Sequence, residues 1–400
     1  MLCLFQVAIL FSKMAENQRE TKVECIVDWE RLQKEMGNEF CQLECTTEEL
    51  SGGQANWVFR ITSKTGSSVI VKQSMEYMKC NPKLLISKTR NQTEYFMLSL
   101  MKQLAPGFVP EPIFSDEDKC YFVMQDLFDY GILRQMFKQR QASLPAIQDM
   151  ARYIAKLHRG THKNNVTETS LAKMVERTKA TGGMCHAIII NFIFENIHEE
   201  HNVKRQAPAL KEMYHLVSND PVIVTNRARL RHIMETKQEC LIHADLHTSS
   251  IFIKGDSAKI IDFEISRVGP AGEDIGHLLS NYMVAYLEHK FYPSKDSPTC
   301  HSLVEECIKK TVNIYFTDAA EYLTPEHLAA TVSDTAGFMG CRLVRRIFGR
   351  PELGEYTDRA LIELPCLHIG VSVTRDHKKI TTPSDLIQYL FDNEDIQSNN

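Results

Sequence analysis

Long hydrophobic runs are scarce in this chain. The apolar N-terminal stretch MLCLFQVAILFSK extends for about a dozen residues, too short to cross a bilayer. It has no basic segment before it and no A-x-A-like cleavage signal after it, so neither a membrane anchor nor a secreted precursor is expected, and Met14 offers an alternative start. No later segment supplies a transmembrane run. An excess of positive charge is also missing: 46 lysines and arginines face 51 carboxylates, a net charge of −5. That leaves no electrostatic footprint for nucleic acid. Cysteine is present, 12 in all, but without any CxxC, the nearest pair being Cys41 and Cys45. Scattered thiols in a chain of this size point to free cysteines in a reducing, cytoplasmic setting. Asn91 heads a glycosylation sequon, yet it lies in a helical stretch, which points the same way.

The sequence is well supplied with apolar content, 43% over 400 residues, enough to bury a core in one large or two modest domains. Along the chain, residues 25 to 40 read as a short helix stopped at Gly37. Strands are expected at 43 to 50, 57 to 62 and 68 to 73, punctuated by Gly52-Gly53 and Lys64-Thr65-Gly66. A helix over 84 to 104 comes next, with Arg90, Glu94, Leu98 and Met101 on one face, and then strands at 112 to 116 and 120 to 127. Beyond Asp129 the texture is helical. Ile147, Ala151, Ile154 and Leu157 form one stripe, residues 185 to 236 hold two or three helices, and Thr324 with Pro325 opens a last long helix. The pattern is an α+β chain: a tail at 1–24, a small antiparallel β-rich domain with one long helix at 25–127, a larger mainly helical domain at 128–392, and a frayed tail at 393–400.

The segment LIHADLHTSSIFIKGDSAKIIDFE concentrates the polar chemistry. IFI, 251 to 253, and AKIID, 258 to 262, flank a good hairpin turn at Lys254-Gly255-Asp256-Ser257. A hairpin joins its open ends, so Asp245 and Asp262 should converge. If the strand runs on past Asp262, Glu264 shares its face. Three converging carboxylates would repel without a cation, and oxygen donors suit magnesium carrying phosphate oxygens. Zinc on His243 and His247 is the weaker reading, because the adjoining TSSIFI is strand-like and no third soft ligand is in view.

These residues resemble the catalytic segment of kinase-fold small-molecule phosphotransferases, and in detail the methylthioribose kinase family. HADLHTSS at 243 to 250 matches its catalytic loop, Asp262-Phe263-Glu264 its DxE metal motif, GPAGEDIG at 269 to 276 its GP-x-G-x-DIG run, and GCRLVRRIFG at 340 to 349 its paired arginines. The resemblance implies a bilobal protein-kinase-like fold that uses ATP and Mg2+. Asp245 would accept or orient the proton of a sugar hydroxyl, with His243 and His247 supporting its loop, and Asp262 and Glu264 would hold magnesium. SGGQANWVFRI, with Gly52, Gly53 and Asn56, looks like the nucleotide-covering loop. Lys72, paired with Glu94, would reach the phosphates, and the backbone of Gln125, Asp126 and Leu127 would meet adenine. Arg345 and Arg346 would contact the sugar and the transferring phosphate, although neighbours on a helix point about 100° apart. Asp274 either caps its helix or braces the catalytic loop.

Three positions depart from the family: Ala244 and Ser249 replace glycines, and Phe263 replaces a proline. Ser250 agrees with it, where protein kinases carry asparagine. The expected activity is ATP-dependent phosphorylation of the 1-hydroxyl of 5-methylthioribose in methionine salvage. The alternatives are a related kinase of choline, aminoglycosides or a homoserine-like alcohol, and a non-catalytic nucleotide-binding protein. The expected partners are ATP and a small sugar, without nucleic acid or membrane, and a homodimer is left open.

Overall fold

The computed structural model describes residues 26–50, 55–182, 184–198, 208–295, 299–349 and 359–392. The chain divides into two compact units, residues up to 98 with 110–128, and residues 99–109 with 129 onward. Both tails expected from the sequence lie outside the described residues.

The first unit is built on a five-stranded antiparallel sheet. Helix α1 (Trp29–Met36) starts at Asp28, whose carboxylate accepts the Arg31 amide at 2.9 Å, and it stops at Gly37, whose φ of 109° is open to glycine. Strands β1 (Thr46–Glu49), β2 (Trp57–Thr62) and β3 (Ser68–Gln73) come next, then a small ribbon of β4 (Tyr77–Met78) and β5 (Asn81–Leu85). Helix α2 (Arg90–Leu104) leads to β6 (Pro112–Asp116) and β7 (Tyr121–Gln125). The main sheet order is β1-β2-β3-β7-β6. In β2, Phe59 and Ile61 alternate inward, whereas the central β3 buries four consecutive residues because it is covered on both faces. Phe40, Phe59, Ile61, Val69, Val71 and Tyr121 pack in the resulting core. The helix expected from residue 84 begins at Arg90 instead, since residues 81–85 pair with β4.

The second unit is mainly helical. It contains β8 (Gly131–Ile132), α3 (Leu133–Lys138), α4 (Leu144–Thr161), α5 (Glu168–Gly182), α6 (Met184–Ile190), α7 (Pro208–Asn219) and α8 (Pro221–Thr236). Then come β9 (Cys240–Ile242), β10 (Ile251–Lys254), β11 (Ser257–Ile260) and β12 (Arg267–Gly269). The chain closes with α9 (Ala271–Phe291), α10 (Cys300–Ala319), α11 (Pro325–Phe348), α12 (Arg359–Asp376) and α13 (Pro383–Asp392). The predicted stripe of α4 is buried in full, and Thr324 accepts the His327 amide at the start of α11.

Two crossings of α11 position the site. Helix α9 is buried on nearly every side and lies against α11 at Gly272 and Gly276, where an added Cβ would stand 2.9 Å from the Thr335 amide nitrogen and 2.6 Å from the Thr335 carbonyl oxygen. Gly340 and Gly370 do the same for α11 and α12, a Cβ on Gly340 lying 2.8 Å from the Gly370 oxygen. Small residues at the crossings let the helices approach with backbones nearly touching. Two small sheets add to the frame: β10 pairs with β11 and β8, and β9 pairs with β12, which sets the start of the 243–250 loop beside the entry to α9. Cys41, Cys45, Cys80, Cys120, Cys240, Cys300, Cys307, Cys341 and Cys366 are free thiols, and no described helix is long and apolar enough to cross a membrane.

Candidate active site

The loop after β9 is held by buried hydrogen bonds along its length. The amides of His243 and Ala244 donate to the two carboxylate oxygens of Asp274, at 2.7 and 2.8 Å. His158 adds its Nε2, 3.1 Å from Asp274 Oδ2, and is itself bonded to the Tyr315 hydroxyl at 2.8 Å. Burial would raise the Asp274 carboxyl, but the hydrogen bond and charge of His158, with the charge and amide of His243, hold it below the usual range. Asp274 therefore braces the loop. It does not cap α9, whose N-terminal position is Pro270 without a side-chain bond.

His243 is fully buried, and a single tautomer satisfies it: Nε2 donates to the Ile261 carbonyl at 2.8 Å and Nδ1 accepts the Asp245 amide at 3.3 Å. The first bond ties the loop to the residue before Asp262. His247 turns its Nδ1 to the Ser250 hydroxyl at 3.1 Å, and the Ser250 amide returns to the His247 carbonyl at 2.9 Å. Ala244 sits at φ 69°, in the left-handed region where glycine is at ease and alanine is strained. That conformation gives a physical reason for a glycine in the family's loop.

The Asp245 carboxylate is 42% exposed, and cationic or cation-capable groups surround it. His247 Nε2 is 3.6 Å from Oδ2, and His277 Nδ1 is 3.7 Å from Oδ1. Arg342 and Arg345 of α11 act on Asp245 through their charge, and Arg346 acts on His277. Arg342 lies 3.4 Å from the Ala244 carbonyl and 3.7 Å from Glu273, which is paired with Arg267 at 2.5 Å. Arg346 donates to Asn281 at 2.5 Å, and the Arg345 guanidinium stands 5.7 Å over the Phe192 ring. Arg345 is drawn down to about 9 by burial and by its neighbours Arg342 and Arg346, with Asp245 opposing. His277 is pushed well below its ordinary value by burial, then by Arg342, His247, Arg346 and Arg345. His247 is lowered by burial against the pull of Asp245 and Asp262. Crowded, desolvated positive charge of this kind is a setting for an anion.

The expected run of the strand to Asp262 and past it needs correction. Strand β11 ends at Ile260, Asp262 takes φ 70°, and Glu264 lies in a turn, so the i, i+2 rule that would put both carboxylates on one face does not operate. The hairpin register itself is as expected, Ile251 opposite Ile260. Among the described residues no group of three His, Cys, Asp or Glu side chains is gathered to hold a metal. Magnesium commonly takes only one or two carboxylates, completing its shell with phosphate and water oxygens. Two hard-oxygen donors beside the Asp245 loop meet that demand. The His243 imidazole is engaged by the Ile261 carbonyl and the Asp245 amide, and His247 Nδ1 by the Ser250 hydroxyl.

In the first unit, Lys72 Nζ lies 2.9 and 2.8 Å from the two oxygens of Glu94, and both side chains are buried, at 5% and 1% exposure. Arg90, one turn earlier, is fully buried and donates to the carbonyls of Met75 at 2.6 Å, Ser87 at 2.8 Å and Ala55 at 2.9 Å. Asn56 is buried and accepts the Ser74 hydroxyl at 3.1 Å, so its amide is used at least in part to fasten the end of the glycine-containing segment. Gly52 and Gly53 lie outside the described residues. The three positions expected to meet adenine differ from one another. The Gln125 amide is committed to the Glu111 carbonyl at 2.9 Å, which removes it as a donor to a base. Asp126 turns its carboxylate to Arg60 at 2.6 Å and Ser68 at 2.7 Å, leaving only its backbone for a ligand. Leu127, just past the strand, is buried.

Sequence reasoning missed His158, Glu273, Arg267, His277 and Arg342. Arg342 had a signal, since positions 342, 345 and 346 are spaced i, i+3, i+4 and share a helix face. His277 also had one, three residues after Asp274 on the same helix. His158 had none, because its partner is 116 residues away.

Compared with known proteins, residues 46–290, more than half of the chain, match the family model described as the APH phosphotransferase enzyme family. The chain is 27% identical over 310 residues to the methylthioribose kinase of Geobacillus sp. (strain WCH70), covering 75% of this chain and 77% of that protein. It is 24% identical over 376 residues to the methylthioribose kinase of Yersinia enterocolitica, covering 87% and 92%. Among solved structures it is similar to choline kinase from Cryptosporidium parvum Iowa II, with a TM-score of 0.46, 12% identity, and coverage of 94% and 96%.

Proposed function

Because the chain belongs to the phosphotransferase enzyme family and is a small-molecule kinase acting on an alcohol group, we propose that it transfers the terminal phosphoryl group of ATP to the 1-hydroxyl of 5-methylthioribose, a step of methionine salvage. The observation that carries this reading is Asp245: a half-open carboxylate on a hydrogen-bonded loop, with His247, His277, Arg342 and Arg345 around it. The methylthioribose kinases among its relatives point to the acceptor.

In this mechanism Asp245 orients the acceptor hydroxyl and takes its proton as the oxygen attacks phosphorus. His243 holds the loop backbone and Asp274 holds His243. Arg345 and Arg346 meet the sugar hydroxyls and the transferring phosphoryl oxygens, where a guanidinium fork matches oxygen pairs. In the first unit, Lys72, kept in place by Glu94, neutralises phosphate charge. Asp262 and Glu264 would hold magnesium, whose charge would offset that of the phosphates. The free thiols fit a reducing, cytoplasmic setting.

The test is a coupled ATPase assay of purified protein with methylthioribose, choline, homoserine and aminoglycosides. Turnover confined to methylthioribose is expected. Turnover with another member alone moves the function to that substrate class, and turnover with none, after magnesium and ATP are varied, removes the catalytic reading.

A further inference from the structure

His277 has no task in the mechanism above, yet it is placed where acceptor chemistry occurs. It lies on α9, one turn after the bracing Asp274, and is only 3% exposed. Its Nδ1 is buried and has no hydrogen-bond partner. A buried polar atom left unpaired is costly, so a native structure satisfies it with water, an ion or a ligand, and beside the exposed Asp245 carboxylate a ligand can reach it. The atom it faces is Asp245 Oδ1 at 3.7 Å, too far for a direct hydrogen bond.

The ring is fixed from several sides. His247 stands edge-on to it, with centroids 6.0 Å apart, and Asn281, which holds Arg346, also donates to the His277 carbonyl at 2.9 Å. Burial first, and then the positive groups Arg342, His247, Arg346 and Arg345, push the imidazole toward its neutral form, so it does not compete with Asp245 for a proton. A neutral imidazole beside a carboxylate offers two polar atoms side by side, one for the reacting hydroxyl and one for its neighbour. A hydroxyl can donate to or accept from Nδ1, so either tautomer serves.

We propose that His277 binds the hydroxyl adjacent to the one that Asp245 activates, which makes the acceptor a vicinal diol and His277 a specificity-determining residue. This rests on the kinase reading above and deepens it: choline, a mono-alcohol, does not have the second hydroxyl. The pairing is bidentate across Asp245 Oδ1 and His277 Nδ1, and it fixes which hydroxyl of the diol faces the phosphoryl donor.

The experiment measures kcat/KM of the full chain for methylthioribose and for its 2-deoxy counterpart, in the wild type, His277→Leu and His277→Asn. Loss of one buried hydrogen bond is expected to lower kcat/KM for the diol about 10- to 100-fold in His277→Leu, while the deoxy acceptor, already without that hydroxyl, is affected less than about threefold. His277→Asn, whose amide reaches a position near that of Nδ1, is expected to recover most of the loss. A merely structural role predicts equal losses on both acceptors, and that result, or no loss on the diol, overturns the proposal while the wild type remains an active kinase. If the wild type phosphorylates neither acceptor, the kinase reading fails first and the inference falls with it. Should His277→Leu not fold, the wild-type preference for diol over deoxy acceptor and its decline in His277→Asn decide the matter: a preference below about threefold in the wild type overturns the proposal.

Discussion

The two segments that carry the acidic residues of the second unit are built on opposite plans. The loop at 243–250 is fastened along its length: the His243 and Ala244 amides bond to the buried Asp274, with His158 and Tyr315 behind it, and Ser250 bonds to His247 within the loop. The segment at 261–264 leaves its strand, turns at a left-handed Asp262 and brings no three metal-capable side chains together. The difference teaches where preorganisation comes from. A proton acceptor must stand in place before the substrate arrives, so the protein supplies its frame. The Asp262 and Glu264 carboxylates would instead find their balancing charge in a bound cation.

The comparison breaks most visibly at Asp245. Asp245→Asn is expected to reduce kcat about 1,000-fold with little change in melting temperature, because the carboxylate is half-exposed and contributes chemistry more than stability. A steady-state assay beside a thermal melt checks both halves. Next in size, Asp262→Asn is expected to lower kcat by about 100-fold at low magnesium and to recover in part as magnesium is raised. Magnesium-independent loss would sink the assignment of Asp262 to a cation.

Asp274→Ala attacks the braced loop through its frame. It leaves two buried amides and His158 without their acceptor, and a loss of about 3 kcal/mol in denaturant unfolding is expected, together with loss of turnover. A variant as stable as the parent would mean the loop does not depend on its brace.

Acid sharpens the same contrast. His277 lies well below its ordinary value, and burial lowers His162 and His377 from 6.5 to about 4. Groups whose folded values are depressed bind protons more readily unfolded than folded, so their contribution is intact above 6.5 and is lost as pH falls toward 4. The depressed Asp274 carboxyl has the same sign. Denaturant midpoints are expected to decline steadily through that window, and a flat profile would contradict the buried neutral histidines.

The smallest effect is expected at Ala244→Gly. Glycine relieves the left-handed strain at φ 69°, worth about 1–2 kcal/mol, but gives up a buried methyl and gains unfolded-state freedom, so the net change is within about 1 kcal/mol. A chemical unfolding curve resolves it. A larger loss would show that the methyl packed among Cys240, Ile242 and Ala271 outweighs the backbone strain.

Much of the site could be read locally. HADLH before a hairpin singled out Asp245 as the candidate proton acceptor, and the stripe of α4, the cap at Thr324 and the Lys72 strand all come from short-range patterns, which period and turn chemistry dictate. The same logic overreached at Glu264, since alternation holds only while a strand continues and β11 stops at Ile260. It also left Asp274 undecided between cap and brace. An acidic residue in a first helical turn serves either end equally well until the neighbouring chain is known.

By itself, then, the sequence determined the order of elements, the position of Asp245 and the kind of chemistry gathered near it, because those depend on residues a few places apart. The tertiary structure alone decided the company Asp245 keeps. His277 and Arg342 meet it only because Gly272 and Gly276 let α9 lie against α11, and His158 reaches Asp274 across 116 residues. Close approach of distant backbones is a property of packing, and no local pattern encodes it.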